Sequence, residues 1–347
     1  MVESGKWKPM KELQVQYQRI LADYIDSQTE RNLYIGQNFI RQLIQKNITP
    51  EDVISIHKLS MEAIVKDLPP EVINGYDFLI EMMVHFGLTV REYQSLLEQQ
   101  EELRTEMNVA TKIQQMLLET TIPETTQIDI GMVSIPIRKM NGDYVHFLHK
   151  DNSYLSVAVT DVVGKGVPAA LCMSMVKYGL DTLEFANGTP SYVLEVLNRI
   201  IERSVDDSMF VSMFFGRYDI LNEVFTYGSA GHEPVLHYVA AKDGFEELSA
   251  SGLLLGVMAD VKYEQYEVKI EDGDFIVMMT DGVTEFRKQD DKETQHLIRE
   301  LLLKMKHLSA QEMCEGLYKE LQDLQDYGLE DDFTVVVFKK RGLVTIE

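Results

Sequence analysis

The feature that most constrains this chain is a change of texture at Thr121-Ile122-Pro123. Before it, apolar residues recur every three or four positions; after it, they come in short β-rich runs. Helices bury a stripe of period 3.6 and strands a face of period two, so the two textures call for separate layers of packing. The chain is therefore expected to build an all-α part first and a sheet-based part second.

In the first part, Leu13, Tyr17, Ile20, Leu21, Tyr24 and Ile25 lie at helical spacing, and Leu33, Phe39, Leu43 and Ile44 continue the trend to about Gln45. Residues 1–9, with Gly5 and Pro9, read as a frayed end. Thr49-Pro50-Glu51-Asp52 opens another helix with a cap, a first-turn proline and two acids near the positive end of the dipole; Leu68-Pro69-Pro70 closes it. Beyond that turn, Tyr76, Leu79, Met83, Phe86, Val90, Tyr93 and Leu97 alternate steps of three and four, the seam of a coiled coil or helix bundle. The seam falters at Glu98-Gln99-Gln100-Glu101-Glu102 and resumes through Leu103, Met107, Ala110, Ile113 and Leu117. The expected organisation is a helical dimerisation or partner-binding domain over 1–97, a helical, coiled-coil-like linker over 98–122 and a larger domain over 123–342. A homodimer through the N-terminal helices is the expected assembly, with a monomeric bundle of the same periodicity as the alternative.

After Pro123, strands are expected at 130–137, 144–149, 153–160, 209–219, 223–229, 234–240, 263–270, 275–279 and 333–338, and helices at about 167–186, 190–205, 293–307 and 309–326. Many strands joined by hairpin signals with few crossovers make this an antiparallel α+β arrangement, a sheet core covered by helices.

Charge narrows the partners. The net charge is −23, with 12 basic and 17 acidic side chains in residues 1–118 against 21 and 39 in the remainder. Nucleic-acid binding depends on Lys and Arg releasing phosphate counterions, so neither a nucleic acid nor an anionic membrane is expected as a partner. The two cysteines, Cys172 and Cys314, lie in helical stretches and suit core packing in a reducing compartment. With no signal-like or membrane-spanning apolar segment, the expected location is the cytoplasm.

The chemistry is carried by carboxylates at strand ends. Asp161 follows the apolar run Tyr154–Val159 and precedes Gly164 and Gly166, with a helix starting near Pro168. Asp143 stands in Asn-Gly-Asp-Tyr beside a β run, Asp281 follows Phe275-Ile-Val-Met-Met-Thr, and Asp331-Asp332 precede Phe333-Thr-Val-Val-Val-Phe. Asp243-Gly244 and Asp272-Gly273 read as plain turns. Repelling carboxylates gathered at strand ends are costly unless a cation neutralises them, and an all-oxygen set selects Mg²⁺ or Mn²⁺ over zinc. Two such ions suit phosphoester hydrolysis. A cysteine phosphatase is excluded because Tyr178 and Glu320 stand where its arginine belongs, and a phosphate-cradling loop because Thr160 and Gly166 occupy key places around Gly164-Lys165. His232, in Ser-Ala-Gly-His-Glu-Pro, is either a general acid beside the site or a structural histidine.

Six ordered stretches, Gly142-Asp143-Tyr144, Asp161-Val-Val-Gly-Lys-Gly166, Ser229-Ala-Gly-His-Glu-Pro234, Leu255-Gly256, Asp281-Gly-Val-Thr-Glu285 and Asp331-Asp-Phe-Thr334, resemble the SpoIIE-like branch of the PPM-type metal-dependent serine/threonine phosphatases. The likeness covers residues 123–340, and the helical N-terminus resembles the subgroup that activates the general stress sigma factor of Gram-positive bacteria. The resemblance implies an αββα sandwich holding two Mn²⁺ or Mg²⁺ ions. It further implies that Asp161 bridges both, the Val162 carbonyl and Asp143 serve one, Asp281 and Asp331 complete the other, and Asp332 orients water. It implies as substrate a phosphoserine or phosphothreonine on an RsbV-type anti-anti-sigma protein, and as activator an RsbT-type kinase-like protein docking on residues 10–97. Many relatives have an Asp where this chain has His146 and a His where it has Lys165, which bears on a third metal position and on phosphate contacts. A sandwich that only sequesters the phosphoprotein is the competing reading.

Overall fold

The computed structural model describes residues 7–137, 140–150, 153–164, 166–184, 188–205, 209–284, 291–324 and 331–342. It divides into two compact units, Met1–Thr105 and Glu106–Glu347.

The first unit is helical. α1 (Trp7–Ser27) and α2 (Glu30–Gln45) break the long periodic run in two, at Gln28 with a left-handed φ of 42° and Thr29, whose hydroxyl caps α2 by accepting the Asn32 N–H. A hydrophobic stripe alone does not reveal a one-residue reversal inside it. Helix α1 begins at Trp7, so the expected frayed end reaches at most to residue 6, outside the described residues. α3 (Pro50–Ile64) starts with the expected cap, Thr49 and Asp52 satisfying each other's backbone N–H groups. Leu13, Phe39 and Leu43 form a small core with Tyr17, Ile20, Ile48 and Val53 around them. α4 runs unbroken from Pro70 to Leu117, through the polar interruption. Its seam residues Phe86 and Tyr93 remain 59% and 62% exposed in the single chain.

The second unit is the expected four-layer αββα sandwich. One sheet orders β1 (Ile128–Ile135), β10 (Phe333–Lys340), β9 (Phe275–Met279), β6 (Val235–Val239) and β7 (Gly244–Leu248) side by side. The other orders β2 (Asp143–Lys150), β3 (Tyr154–Val163), β4 (Phe210–Asp219), β5 (Val224–Ala230) and β8 (Tyr266–Lys269). All these pairings are antiparallel. Strand alternation sorts the apolar residues: Val145, Val157, Val159, Phe214, Phe225, Ile276, Met278, Val336 and Phe338 fill the space between the sheets. The outer faces are covered by α5 (Val167–Glu184) and α6 (Pro190–Glu202) on one side and α8 (Asp291–Met305) and α9 (Ala310–Asp323) on the other. β7 is not anticipated from its residues, Gly-Phe-Glu-Glu-Leu, because an edge strand with exposed glutamates shows almost no alternation. Cys172 and Cys314 are buried free thiols in these helix layers. Among the described residues no helix is long and apolar enough to cross a membrane.

Candidate active site

The antiparallel register carries the acidic residues to one end of the sandwich. Asp143 opens β2 and pairs directly with Asp161 near the end of β3. In the facing sheet, Met279 at the end of β9 pairs with Val335 near the start of β10, so Asp281 and Asp331-Asp332 emerge together. Asp143 and Asp161 share the face of Val145 and Val159, and so sit where the apolar inter-sheet core runs out. The two sheets are tied there by Thr280, which donates to Asp143 Oδ2 at 2.8 Å and accepts the Thr334 N–H at 3.2 Å.

A cleft of about 370 Å³ opens on this end, lined by Asp161, Val162, Gly142, Asp281, Asp331 and Asp332 among the polar groups and by Met107, Ile137, Met140 and Val163 among the apolar ones. Asp143 lies behind it, 3% exposed. Asp332 holds the loop between β1 and β2, its Oδ1 accepting the Ile137 N–H at 2.8 Å and its Oδ2 the Gly142 N–H at 2.6 Å. Gly142 also accepts the Val162 N–H at 3.2 Å.

The electrostatics are those of crowded, desolvated acids. Burial, then the charges of Asp281, Asp331 and Asp332, pushes the Asp161 carboxyl up to about 7. Burial also raises Asp143 well above the usual carboxylate range, with Asp161 and Asp332 adding to the shift and hydrogen bonds from Thr334 and Thr280 opposing it. The acids line one cleft without closing on a single point: among the described residues no group of three or more His, Cys, Asp or Glu side chains forms a finished ligand cluster. The donor set nevertheless fits a hard cation. A Cβ on Gly142 would stand 3.3 Å from Asp332 Oδ2, 3.6 Å from Asp161 Oδ1 and 3.7 Å from the Val162 carbonyl oxygen. Oxygens of three residues thus surround a position that only glycine leaves open, and neither a cysteine thiol nor an imidazole lines the cleft among the described residues.

Other expected participants sort differently. His146 points to the opposite face of β2, under α5, where its ring meets the Tyr144 hydroxyl at 2.6 Å and Asp181 at 3.6 Å. The departure at position 146 therefore lies on the far face of β2 from the acidic cleft. His232 reaches Ser212, the cross-strand partner of Asp161, with Nδ1 3.1 Å from Ser212 Oγ; burial lowers its pKa to about 4. It is a neutral ring behind the site and does not line the cleft. Leu255-Gly256 is structural: Leu255 exchanges backbone hydrogen bonds with Val211, and Gly256, at φ 93°, donates its N–H to Asn198 Oδ1. Lys165 and Glu285 lie outside the described residues. Thr280, Asn141 and Gln114, which shape the site, are not singled out by the sequence, because a hydroxyl or amide beside an acid, or a glutamine on a polar helix, carries no distinguishing pattern.

The profile of the stage II sporulation protein E (SpoIIE) family matches residues 151–341, and that of the N-terminal domain of phosphoserine phosphatase RsbU matches residues 15–89. The chain is 42% identical over 329 residues to phosphoserine phosphatase RsbU of Bacillus subtilis, spanning 95% of this chain and 98% of that one. It is 29% identical over 213 residues to protein IcfG of Synechocystis, spanning 53% of this chain and 33% of that one. The solved RsbU and RsbW domains of a Mycobacterium tuberculosis protein superpose with a TM-score of 0.56 at 23% identity, over 62% of each chain. The SiaA-PP2C domain of Pseudomonas aeruginosa does so with 0.58 at 18% identity, over 70% of this chain and 98% of that one. At those identities the structural likeness is one of fold.

Proposed function

Because the chain belongs to the SpoIIE family of protein serine/threonine phosphatases and carries an RsbU-type N-terminal domain, we propose that it is a regulated, two-cation phosphatase of the stress sigma factor pathway. Its substrate on this reading is a phosphoserine or phosphothreonine of an RsbV-type anti-anti-sigma protein, and its activator an RsbT-type partner bound to the N-terminal helices. The observation that carries the reading is the gathering of Asp143, Asp161, Asp281, Asp331 and Asp332 at one end of the sandwich, with Asp161 driven up to about 7 by burial and by its acidic neighbours. That much repulsion is retained where a positive charge is to be held.

Asp161 and the Val162 carbonyl would hold two Mn²⁺ or Mg²⁺ ions together with Asp143 on one side and Asp281 and Asp331 on the other. Bound there, the ions supply the charge that offsets the phosphoryl oxygens and lowers the pKa of the attacking water. Asp143 is kept in place by Thr280, and both oxygens of Asp332 accept backbone N–H groups and so shape the loop around Gly142, with Asp332 a neighbour that orients water on this reading. Hydrolysis breaks the bond between phosphorus and the seryl oxygen; water supplies the new oxygen, and phosphate leaves.

Residues 1–97 act on this reading as dimerisation and docking domain, 98–122 as helical linker and 123–342 as phosphatase, in the cytoplasm. The exposed Phe86 and Tyr93 on α4 support a helix-to-helix homodimer. The unbroken helix α4, Pro70–Leu117, supports a helical linker.

The test is phosphate release from a phosphorylated RsbV-type protein, with Mn²⁺ and the RsbT-type partner varied independently. Release that needs both is expected. Binding of the phosphoprotein without release under every combination would make the protein a sequestering scaffold.

A further inference from the structure

The loop that presents Gly142 and Asp143 is held from outside the two sheets as well as from within them. Asn141, the residue before it, has all of its polar groups engaged. Its N–H donates to Gln114 Oε1 at 3.3 Å and its C=O accepts from Gln114 Nε2 at 2.9 Å, so one side-chain amide satisfies both backbone polar groups of one residue. Its own Oδ1 accepts the Asp143 N–H at 2.9 Å, and its Nδ2 donates to Ser134 Oγ at 3.3 Å. Gln114 lies on the last turn of α4 and is 4% exposed, while Thr111 one turn earlier is 9% exposed and Leu118 just beyond the helix packs against the core under α5 and α6. Gln114 is thus fixed by its helix and in turn fixes the loop.

We infer that Gln114 is a positioning residue for the acidic cleft: through the Asn141 peptide it sets the backbone that places Gly142 and Asp143. The inference rests on reading that cleft as a cation site. Gln114 touches neither substrate nor cation on this account. Its absence leaves Asn141 without a partner for its N–H and C=O, which then turn toward water. The turn closed by Asn141 Oδ1 loses its base, and Asp143 loses its register against Asp161. Partners one step behind a ligand alter metal affinity by about 10- to 100-fold when removed. A loop that keeps its Asp332 contacts at Ile137 and Gly142 but loses the Gln114 clamp on Asn141 is expected to fall in that range.

The experiment is Mn²⁺ binding to the full-length protein, followed through the paramagnetic resonance of free Mn²⁺, so that no turnover is required. Gln114→Met keeps the length and helix preference of the side chain and removes both hydrogen bonds; Gln114→Asn, one methylene shorter, is the milder variant. Exposed Gln115→Met, on the same turn, is the control. Expected are a roughly tenfold or greater loss of Mn²⁺ affinity in Gln114→Met, a smaller loss in Gln114→Asn and none in Gln115→Met. Amide exchange at Gly142 and Asp143 should quicken in Gln114→Met, while its unfolding midpoint in chelator stays near that of the parent. Wild-type affinity in both Gln114 variants overturns the inference, as does an equal loss in the control or a Gln114→Met protein that does not fold. A parent that binds no Mn²⁺ overturns the cation reading itself, and the inference with it.

Discussion

Asp143 and Asp161 stand directly opposite each other across β2 and β3, on the face that the two sheets turn toward one another. Like charges in that relation are unfavourable, and both carboxyls are raised above their ordinary range, with burial the largest cause. Asp161→Asn removes one of the opposed charges while keeping the shape of the side chain. In chelator it is expected to raise stability by about 1–3 kcal/mol and, with Mn²⁺ restored, to abolish phosphate release. Thermal unfolding and a phosphate assay measure the two effects. A variant less stable than its parent in chelator would mean that Asp161 is held by attraction.

The same shift gives a pH dependence. With its carboxyl raised from 3.8 to about 7, folded protein keeps the Asp161 proton to higher pH than unfolded protein does. Stability from this group is full below about pH 4 and is lost as pH rises through about 7. His146 and His232, both lowered to about 4 by burial, act in the opposite sense between there and their ordinary 6.5. The informative quantity is therefore the difference between parent and Asp161→Asn in chelator, in which the histidines cancel. That difference should widen from about pH 4 to pH 7 and then level off.

An oxygen-lined cleft discriminates among metals. Chelator should abolish activity, and Mn²⁺ or Mg²⁺ should restore it and raise the unfolding midpoint. At a hundredfold excess over the dissociation constant the stabilisation is about 2.7 kcal/mol. Restoration by Zn²⁺ in preference to both would contradict the donor set.

Gly282 touches the site through backbone. A Cβ there would lie 2.1 Å from the Asp332 carbonyl oxygen, and no flexible side chain can yield to it. Gly282→Ala is expected to cost about 1–3 kcal/mol by overpacking and to displace Asp281 from Asp332. Differential scanning calorimetry and the Mn²⁺ concentration needed for half-maximal activity report the two consequences. An alanine variant unchanged in both would show that the segment moves freely.

Phe86 and Tyr93 are the most exposed of the α4 seam residues between Tyr76 and Leu97, with Leu79, Val90 and Leu97 exposed beside them. Phe86→Glu places a charge where a second helix would pack. Light scattering should show the mass falling from dimer to monomer, with the unfolding of the phosphatase unit unchanged. A parent that is monomeric at tens of micromolar would refute the dimer.

Much of this molecule is legible in local pattern. The texture change at Thr121-Ile122-Pro123 separates the helical region from the sandwich, and runs such as Phe275–Met279 and Phe333–Phe338 announce strands buried on both faces. The capping box at Thr49 and Asp52 announces a helix start. These follow because propensity, capping and periodicity act within a few residues. The break at Gln28 and the edge strand β7 escape the same reading, the first because one left-handed residue leaves the stripe intact, the second because an exposed edge needs no alternation.

The residue types at the acidic cleft were also set by sequence: an Asp at one end of an apolar strand in each case, with a glycine next to Asp143 and Asp281. Which of them meet was decided by tertiary structure. Asp143 finds Thr280 across 137 positions and Asn141 finds Gln114 across 27, while His146, three residues on from Asp143 in β2, turns to the opposite layer. Strand parity and sheet register decide on which face Asp143 and His146 fall, and a one-residue slip would reverse both. Local chemistry therefore names the charges, and the pairing of distant strands converts them from separate surface acids into one desolvated, repelling group with a place for a cation.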